Sequence, residues 1–146
     1  MAGAVAIRRG RPEDVGPVLE LWARAGATPK PTDTPEGLAQ LLASPQSILL
    51  LAEADGRLAG TVIGGWDGWR GNIYRLAVVP EYRRRGIASA LMGEVDAALQ
   101  AMGARRITAL VERDHPWAVG FWNALERAGY WYDPTMTRYV KSSQEL

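Results

Sequence analysis

RLAVVPEYRRRGIASALM, residues Arg75–Met92, decides how this chain is read. Its opening half is aliphatic and strand-like, part of a strand expected from Asn72 to Val79 that Pro80 ends, because proline has no N–H to give to a ladder. Beyond Gly86 the period changes: Ile87, Leu91, Val95, Ala98 and Met102 recur at spacings of three and four, which predicts an amphipathic helix closed by Gly103. Between the two stand Arg83, Arg84, Arg85 and Gly86. The first amides of a helix have no partner within it, and its dipole places positive charge there, so the junction is a ready anion site. Gly86 lets an anion reach the backbone, Ala88 and Ser89 keep the next positions small, and the arginines add charge-assisted hydrogen bonds. The expected occupant is a pyrophosphate. A merely solvated basic turn is the plainer alternative, but the strand before, the striped helix after and the small residues between all agree against it.

Outward from this segment the pattern is regular. Ile48–Ala54 and Arg57–Gly64 flank Asp55-Gly56, a pair that supplies the positive backbone angles of a two-residue hairpin turn. Val5–Arg8 predicts a short first strand. Pro12, Glu13 and Asp14 predict the acidic first turn of a helix carrying Val15, Val18, Leu19 and Trp22 and stopping near Gly26. Thr34-Pro35-Glu36 reads as the cap of a second helix that Pro45 ends. Downstream of the long helix, Arg106–Val111 predicts a strand, and the crossover is long enough for it to lie parallel to the fourth. A last helix, with Pro116 in its first turn, carries Trp117, Val119, Phe121, Trp122 and Leu125 and ends at Gly129. Short strands at Tyr130–Tyr132 and Met136–Val140 then complete one domain over residues 1–141, with a tail at 142–146.

Composition narrows the chemistry. The 146 residues are 47% hydrophobic and 23% charged, enough to bury a core without staples and unlike a disordered or fibrous chain. A net charge of +1 gives no general reason to expect nucleic acid or an anionic membrane as partner. The longest strongly apolar run, Ile48–Ala52, falls far short of the roughly 20 residues that span a bilayer, and Met1–Ala6 lacks a signal-peptide layout, so a cytoplasmic location is expected. With no cysteine and one histidine, His115, a disulfide framework, a thiolate nucleophile and a zinc site are unexpected.

The segment Arg83-Arg84-Arg85-Gly86-Ile87-Ala88 resembles the pyrophosphate signature of the GNAT superfamily of N-acetyltransferases: Gln or Arg, two variable residues, Gly, one variable residue, then Gly or Ala. The order of elements matches over nearly the whole chain, and Gly60–Met92 is similar to small bacterial members. The resemblance implies a single-domain α/β (α+β) fold with a mixed, mostly antiparallel sheet, splayed parallel fourth and fifth strands and about four flanking helices. It implies acetyl-CoA as co-substrate and no metal, with the backbone of Leu76, Ala77 and Val78 pairing with the pantetheine arm. The amides of Arg85, Gly86, Ile87, Ala88 and Ser89 would hold the pyrophosphate, and a strand amide near Val78 would polarise the thioester carbonyl. An amine, on a small molecule or a protein, would attack directly. Homodimers are common among relatives.

The catalytic groups are less plain. A lysine-like amine with a pKa of about 10.4 must lose a proton before it attacks. Lysine acetyltransferases of the family often use a Glu at the start of the fourth strand, where this chain has Asn72. The remaining candidates for the base are Asp67 and Glu112, acting directly or through water, each weighed against a solvated surface carboxylate. Where relatives often carry a Tyr that protonates the thiolate, this chain has Trp122, or Leu125 if aligned back from Gly129, leaving Tyr130, Tyr132 or water. His115 falls where relatives often have Asn, against the reading of a helix-entry surface histidine. Trp22, Trp117 and Trp122 are expected in the core, whereas Trp66 and Trp69 flank Asp67 in a turn suited to acceptor binding or subunit contact. An acetyl-CoA-dependent N-acetyltransferase is therefore the leading expectation. A non-catalytic acyl-CoA sensor of the same fold is the alternative. A nucleotide module lacks the Lys-Ser/Thr pair of a P-loop.

Overall fold

The computed structural model describes residues 4–113, 115 and 117–142. Along these the chain runs β1 (Ala6–Arg9), α1 (Val15–Arg24), α2 (Pro35–Ala43), β2 (Ser47–Ala54), β3 (Arg57–Trp66), β4 (Gly71–Val78), α3 (Ile87–Met102), β5 (Ile107–Ala109) and α4 (Ala118–Arg127). The strands form one sheet in the order β1-β2-β3-β4-β5, antiparallel except for the parallel β4–β5 pair. The mixed sheet and its four helices are those expected from the sequence.

Local chemistry explains the joints. Asp55 and Gly56 take φ of 54° and 71°, which turns β2 into β3 with the twist a hairpin needs. Thr34 Oγ1 accepts the Gly37 N–H at 3.0 Å and caps α2, with Pro35 as its first residue. Before α1, the Asp14 carboxylate accepts from the Arg11 N–H at 2.7 Å and from Nη1 and Nη2 of Arg8 at 2.8 Å each, and Arg8 Nε donates to Glu53 on β2. That fork ties the entry of α1 to the edge of the sheet.

The pleat of β3 assigns the two faces. A Cβ on Gly60 would lie 3.1 Å from Ile87 and Leu91 side chains, and one on Gly64 would lie 2.7 Å from Val95. The missing side chains let α3 settle close on that face, where Leu91, Met92, Val95 and Leu99 are fully buried, each contributing about 1.5–3 kcal/mol. Thr61, between the two glycines, points the other way and accepts the Trp22 indole N–H of α1 at 2.8 Å.

Two irregularities set the course of β4. Thr61 pairs with Ala77 and Ile63 with Tyr74, so β4 carries one extra residue over that interval, and Arg75 sits there at φ 53°. The Thr61 hydroxyl donates to the Arg75 carbonyl at 3.0 Å and satisfies the bulge. On the other edge, β4 pairs with β5 only from Gly71 to Ile73, and beyond the Leu110 N–H to Ile73 carbonyl bond the strands part.

Some expectations are corrected. The strand expected over Arg106–Val111 keeps only Ile107–Ala109, because β4 diverges beyond Ile73 and offers no further partner. Tyr130–Tyr132 and Met136–Val140 join no ladder: β5 presents too short an edge to add a strand. Between them, Asp133 accepts the Thr135 N–H at 2.9 Å and turns the chain. The helix expected from Pro116 begins at Ala118, Pro116 itself lying outside the described residues, as do 143–146 of the expected tail.

Candidate functional site

β4 ends at Val78, and a short turn over Pro80–Tyr82 carries the chain to the arginines. Arg84 (φ 64°) and Gly86 (φ 80°) adopt left-handed conformations on either side of Arg85. Alternation of backbone hand turns successive N–H groups toward one side, the geometry that holds anions. The first backbone bond into α3 runs from Ala90 N–H to Gly86 C=O at 3.0 Å, and among the described residues the amides of 84–89 make no backbone bond. The first turn of α3 holds no acidic residue, and a Cβ at Gly86 would meet nothing within 4 Å. Arg84 and Arg85 are exposed, Arg85 standing 5.0 Å over the Tyr82 ring. These donors fit a pyrophosphate.

Arg83 is built differently. Its Nε donates to the Val78 carbonyl at 3.0 Å, an Nη donates to the Ala25 carbonyl at 2.8 Å, and its guanidinium lies 5.2 Å over the Trp117 ring. Its own N–H is bonded to Pro80. Burial pulls its pKa below the ordinary arginine value. Sequence reading grouped it with the phosphate ligands; here its side chain fastens the end of β4 to the end of α1.

Where β4 and β5 part, a cavity of about 980 Å³ opens, and Leu76, Ala77 and Val78 line it. Val79 donates to Ala59 on β3 at 3.0 Å, so the alternation of the pleat turns the polar groups of Val78 and Leu76 to the open edge and those of Ala77 toward β3. The edge leads directly to the free amides at 84–89.

Arg75, from the bulge, also lines the cavity. It lies 5.0 Å from the Trp22 ring, bonds Asp33, donates to the Thr28 carbonyl at 3.1 Å and stands 3.8 Å from Glu112. Glu112 accepts the Thr28 hydroxyl at 2.7 Å and the Thr28 N–H at 3.2 Å, with His115 Nε2 at 2.5 Å. Burial pushes the Glu112 pKa up, but the bonds from Thr28 and His115 together outweigh it and leave the group below its ordinary value. It is a carboxylate at neutral pH. His115 in turn stacks on Trp117, the ring centroids 4.4 Å apart and the planes nearly parallel.

Other sequence candidates separate. Asp67 is not on the cavity wall; its carboxylate accepts the amides of Trp69 and Arg70 at 2.8 and 2.7 Å, and those bonds hold its pKa low. Trp69 is 72% exposed, beside Arg70 rather than Trp22. Trp22 is in the core as expected, but Trp122 is 39% exposed, since its position on α4 faces away from Phe121 and Ala124. Asn72 accepts the Thr108 hydroxyl at 2.9 Å in the paired part of β4. Tyr130 donates to Asp96 at 2.7 Å, and burial, then that bond, push its pKa up; Tyr132 lines the cavity. Arg75, Asp33 and Thr61 went unnoticed in the sequence, although a lone arginine inside an aliphatic strand was a signal for the first.

A strand edge open to a cavity and leading into a run of unbonded amides has the shape and the donors that an extended, phosphate-ended ligand requires. The profile described as Acetyltransferase (GNAT) family matches residues 17–129, so the chain belongs to the GNAT family of acetyltransferases. Members move an acetyl group from acetyl-CoA to an amine. A predicted acetyltransferase from Clostridium acetobutylicum, solved with acetyl-CoA, superposes with a TM-score of 0.76 at 14% identity over 94% of this chain and 96% of that one. The aminoglycoside 6'-N-acetyltransferase AAC(6')-IG from Acinetobacter haemolyticus does so at 0.73 and 17% identity, over 94% and 98%. The aminoglycoside N-acetyltransferase AAC(6')-Iy, in complex with CoA, gives 0.73 and 17%, over 97% of each chain. These likenesses concern the fold.

Proposed function

We propose that the protein transfers the acetyl group of acetyl-CoA to a primary amine by direct attack, without a covalent enzyme intermediate. One observation carries the reading: the unpaired edge of β4 runs from the cavity straight into six consecutive residues, 84–89, whose amides make no backbone bond among the described residues. Acetyl-CoA supplies the activated thioester. The backbone of Leu76 and Val78 receives the pantetheine arm as an added strand, while the amides of Arg85–Ser89, with Arg84 and Arg85, hold the pyrophosphate. The Val78 N–H, already aimed at the open edge, favours charge developing on the carbonyl oxygen.

In the reaction the amine nitrogen bonds the acetyl carbon, the C–S bond breaks, and the proton shed by nitrogen balances the one taken up by the thiolate. Glu112, ionised and inside the cavity, receives the amine proton, directly or through water. Asp67, which caps its own turn, carries no step. Tyr132 on the cavity wall is the donor to the sulfur; Tyr130 is committed to Asp96.

Calorimetry with acetyl-CoA and release of free thiol across an amine panel test this. Wild-type protein should bind saturably and release thiol with at least one amine. Gly86→Asp, which places a carboxylate in the cradle, should abolish binding while the protein stays folded. Absence of binding heat in the wild type, or unchanged binding in Gly86→Asp, refutes the reading; binding without thiol release refutes turnover.

A further inference from the structure

Among the described residues, six charged side chains line the cavity: Lys30, Asp33, Arg75, Glu112, Arg113 and Arg138. Both carboxylates are engaged by the protein itself. Asp33 accepts the Lys30 N–H at 2.9 Å and bonds the Arg75 guanidinium, and Glu112 is held by Thr28 and His115 with Arg75 at 3.8 Å. Arg75 thus faces two carboxylates. Lys30, Arg113 and Arg138 have no ion pair among the described residues, and Arg113 rests 6.0 Å from the Tyr132 ring. These three belong to the α1–α2 connection, the β5–α4 connection and the C-terminal segment, none of which forms the cradle at 84–89.

With four cationic and two anionic side chains among the described lining, an ammonium entering this cavity meets a surplus of positive charge, and a polycation meets it several times over. A negative group on the same molecule reverses that balance. Between the charges the wall is apolar, with Leu38, Ile63, Leu110 and Phe121. We infer that the acceptor is an amphoteric amine: a primary amine whose frame also bears an anionic group, carboxylate or phosphate, met by Lys30 and Arg138. This rests on the acetyl-transfer reading and narrows its acceptor, away from the aminoglycosides named for two structural neighbours.

The test compares charge-paired acceptors in the thiol-release assay: leucine with leucinamide, phosphoethanolamine with ethanolamine, and tobramycin and spermidine as polycations. The anionic member of at least one pair should exceed its neutral partner and both polycations in kcat/KM by about tenfold or more, the cost of one lost charge-assisted contact. Which pair responds identifies carboxylate or phosphate. Leucinamide has the less basic amine, so a preference for leucine cannot arise from protonation of nitrogen. In Lys30→Gln/Arg138→Gln the ratio should collapse toward one. A preferred polycation or neutral amine, or a ratio that survives the double substitution, overturns the inference.

A binding readout covers the case of no turnover. Protein saturated with coenzyme A is titrated with N-acetylleucine against N-acetylleucinamide, and with N-acetylphosphoethanolamine against N-acetylethanolamine. Binding confined to an anionic product supports the inference, and equal or no binding overturns it. Failure to bind acetyl-CoA at all is a separate result, and it removes the function reading itself.

Discussion

The three neighbouring arginines should fail in two different ways when replaced. Arg83 donates to two backbone carbonyls, Val78 at 3.0 Å and Ala25 at 2.8 Å, and covers Trp117. Hydrogen bonds from a charged donor contribute about 1.5–3 kcal/mol each, but burial of the guanidinium offsets part of that, so Arg83→Gln should cost about 2 kcal/mol. In a domain of this size that lowers Tm by about 4–8 °C. Arg84→Gln and Arg85→Gln remove exposed side chains and should change stability by no more than about 0.5 kcal/mol. Their effect belongs to binding: each should raise the acetyl-CoA Kd by roughly 3–10-fold at low salt, and the loss should shrink as salt screens the exposed charges. Any Kd change in Arg83→Gln should be insensitive to salt, because it arises from a loosened β4 edge. Thermal melts and calorimetry at low and high salt separate the two. If Arg83→Gln melts like wild type while its Kd shows the salt-dependent loss of its neighbours, the assignment of Arg83 as a fastener of β4 is wrong.

Single contacts set three further outcomes. The Arg8 hydrogen bonds hold the Asp14 carboxyl at about 2, down from 3.8, in spite of its burial, so the pair's stabilisation is full above about pH 4 and is lost as pH falls toward 2, a change of about 2 kcal/mol. Urea midpoints from pH 6 to pH 2 should show that acid limb in wild type and not in Asp14→Asn; the same limb in both would refute it. Thr61→Val keeps the volume but leaves the Trp22 N–H and the Arg75 carbonyl without their partner inside the core, at a cost of about 2–3 kcal/mol readable in urea melts. Because the Glu112 pKa lies below its ordinary value, kcat should show no acid limb from this group near neutrality, and Glu112→Gln should lower kcat by about 10²-fold or more with little change in KM; an unchanged kcat would move the proton route elsewhere.

Elements specified by neighbouring residues were legible in the sequence. The Asp55-Gly56 turn, the Thr34 cap and the apolar stripe of α3 are local, and all appear where the pattern puts them. The glycine turn into α3, with amides of 84–89 that make no backbone bond among the described residues, was legible for the same reason. What the sequence hid depends on how distant strands align. Nothing in the run from Tyr74 to Ala77 announces an extra residue, because the bulge exists only relative to Thr61 and Ile63 on β3. The early end of β5 depends on the divergence of β4, and without that edge the strand-like residues at Met136–Val140 have nothing to pair with. The carbonyl partners of Arg83 were hidden for the same reason: Ala25, at the end of α1, is 58 residues away in the chain.

The bulge at Arg75 joins the two halves of the proposed site. A non-glycine residue at positive φ costs about 1 kcal/mol, and it persists here because Thr61 holds its carbonyl while Trp22, Thr28 and Asp33 hold its side chain. From that residue the backbone runs on as the open edge of Leu76 and Val78, where the thioester arm would lie. The same residue's guanidinium reaches Asp33 and stands beside Glu112, fixing the wall against which an amine would arrive. In the proposed reaction, donor track and acceptor wall are therefore set by one backbone irregularity rather than by two separately placed loops. Loss of the Thr61 hydroxyl, buried beneath both, must disturb the alignment of thioester and amine together, which is why its effect should fall on kcat as well as on stability.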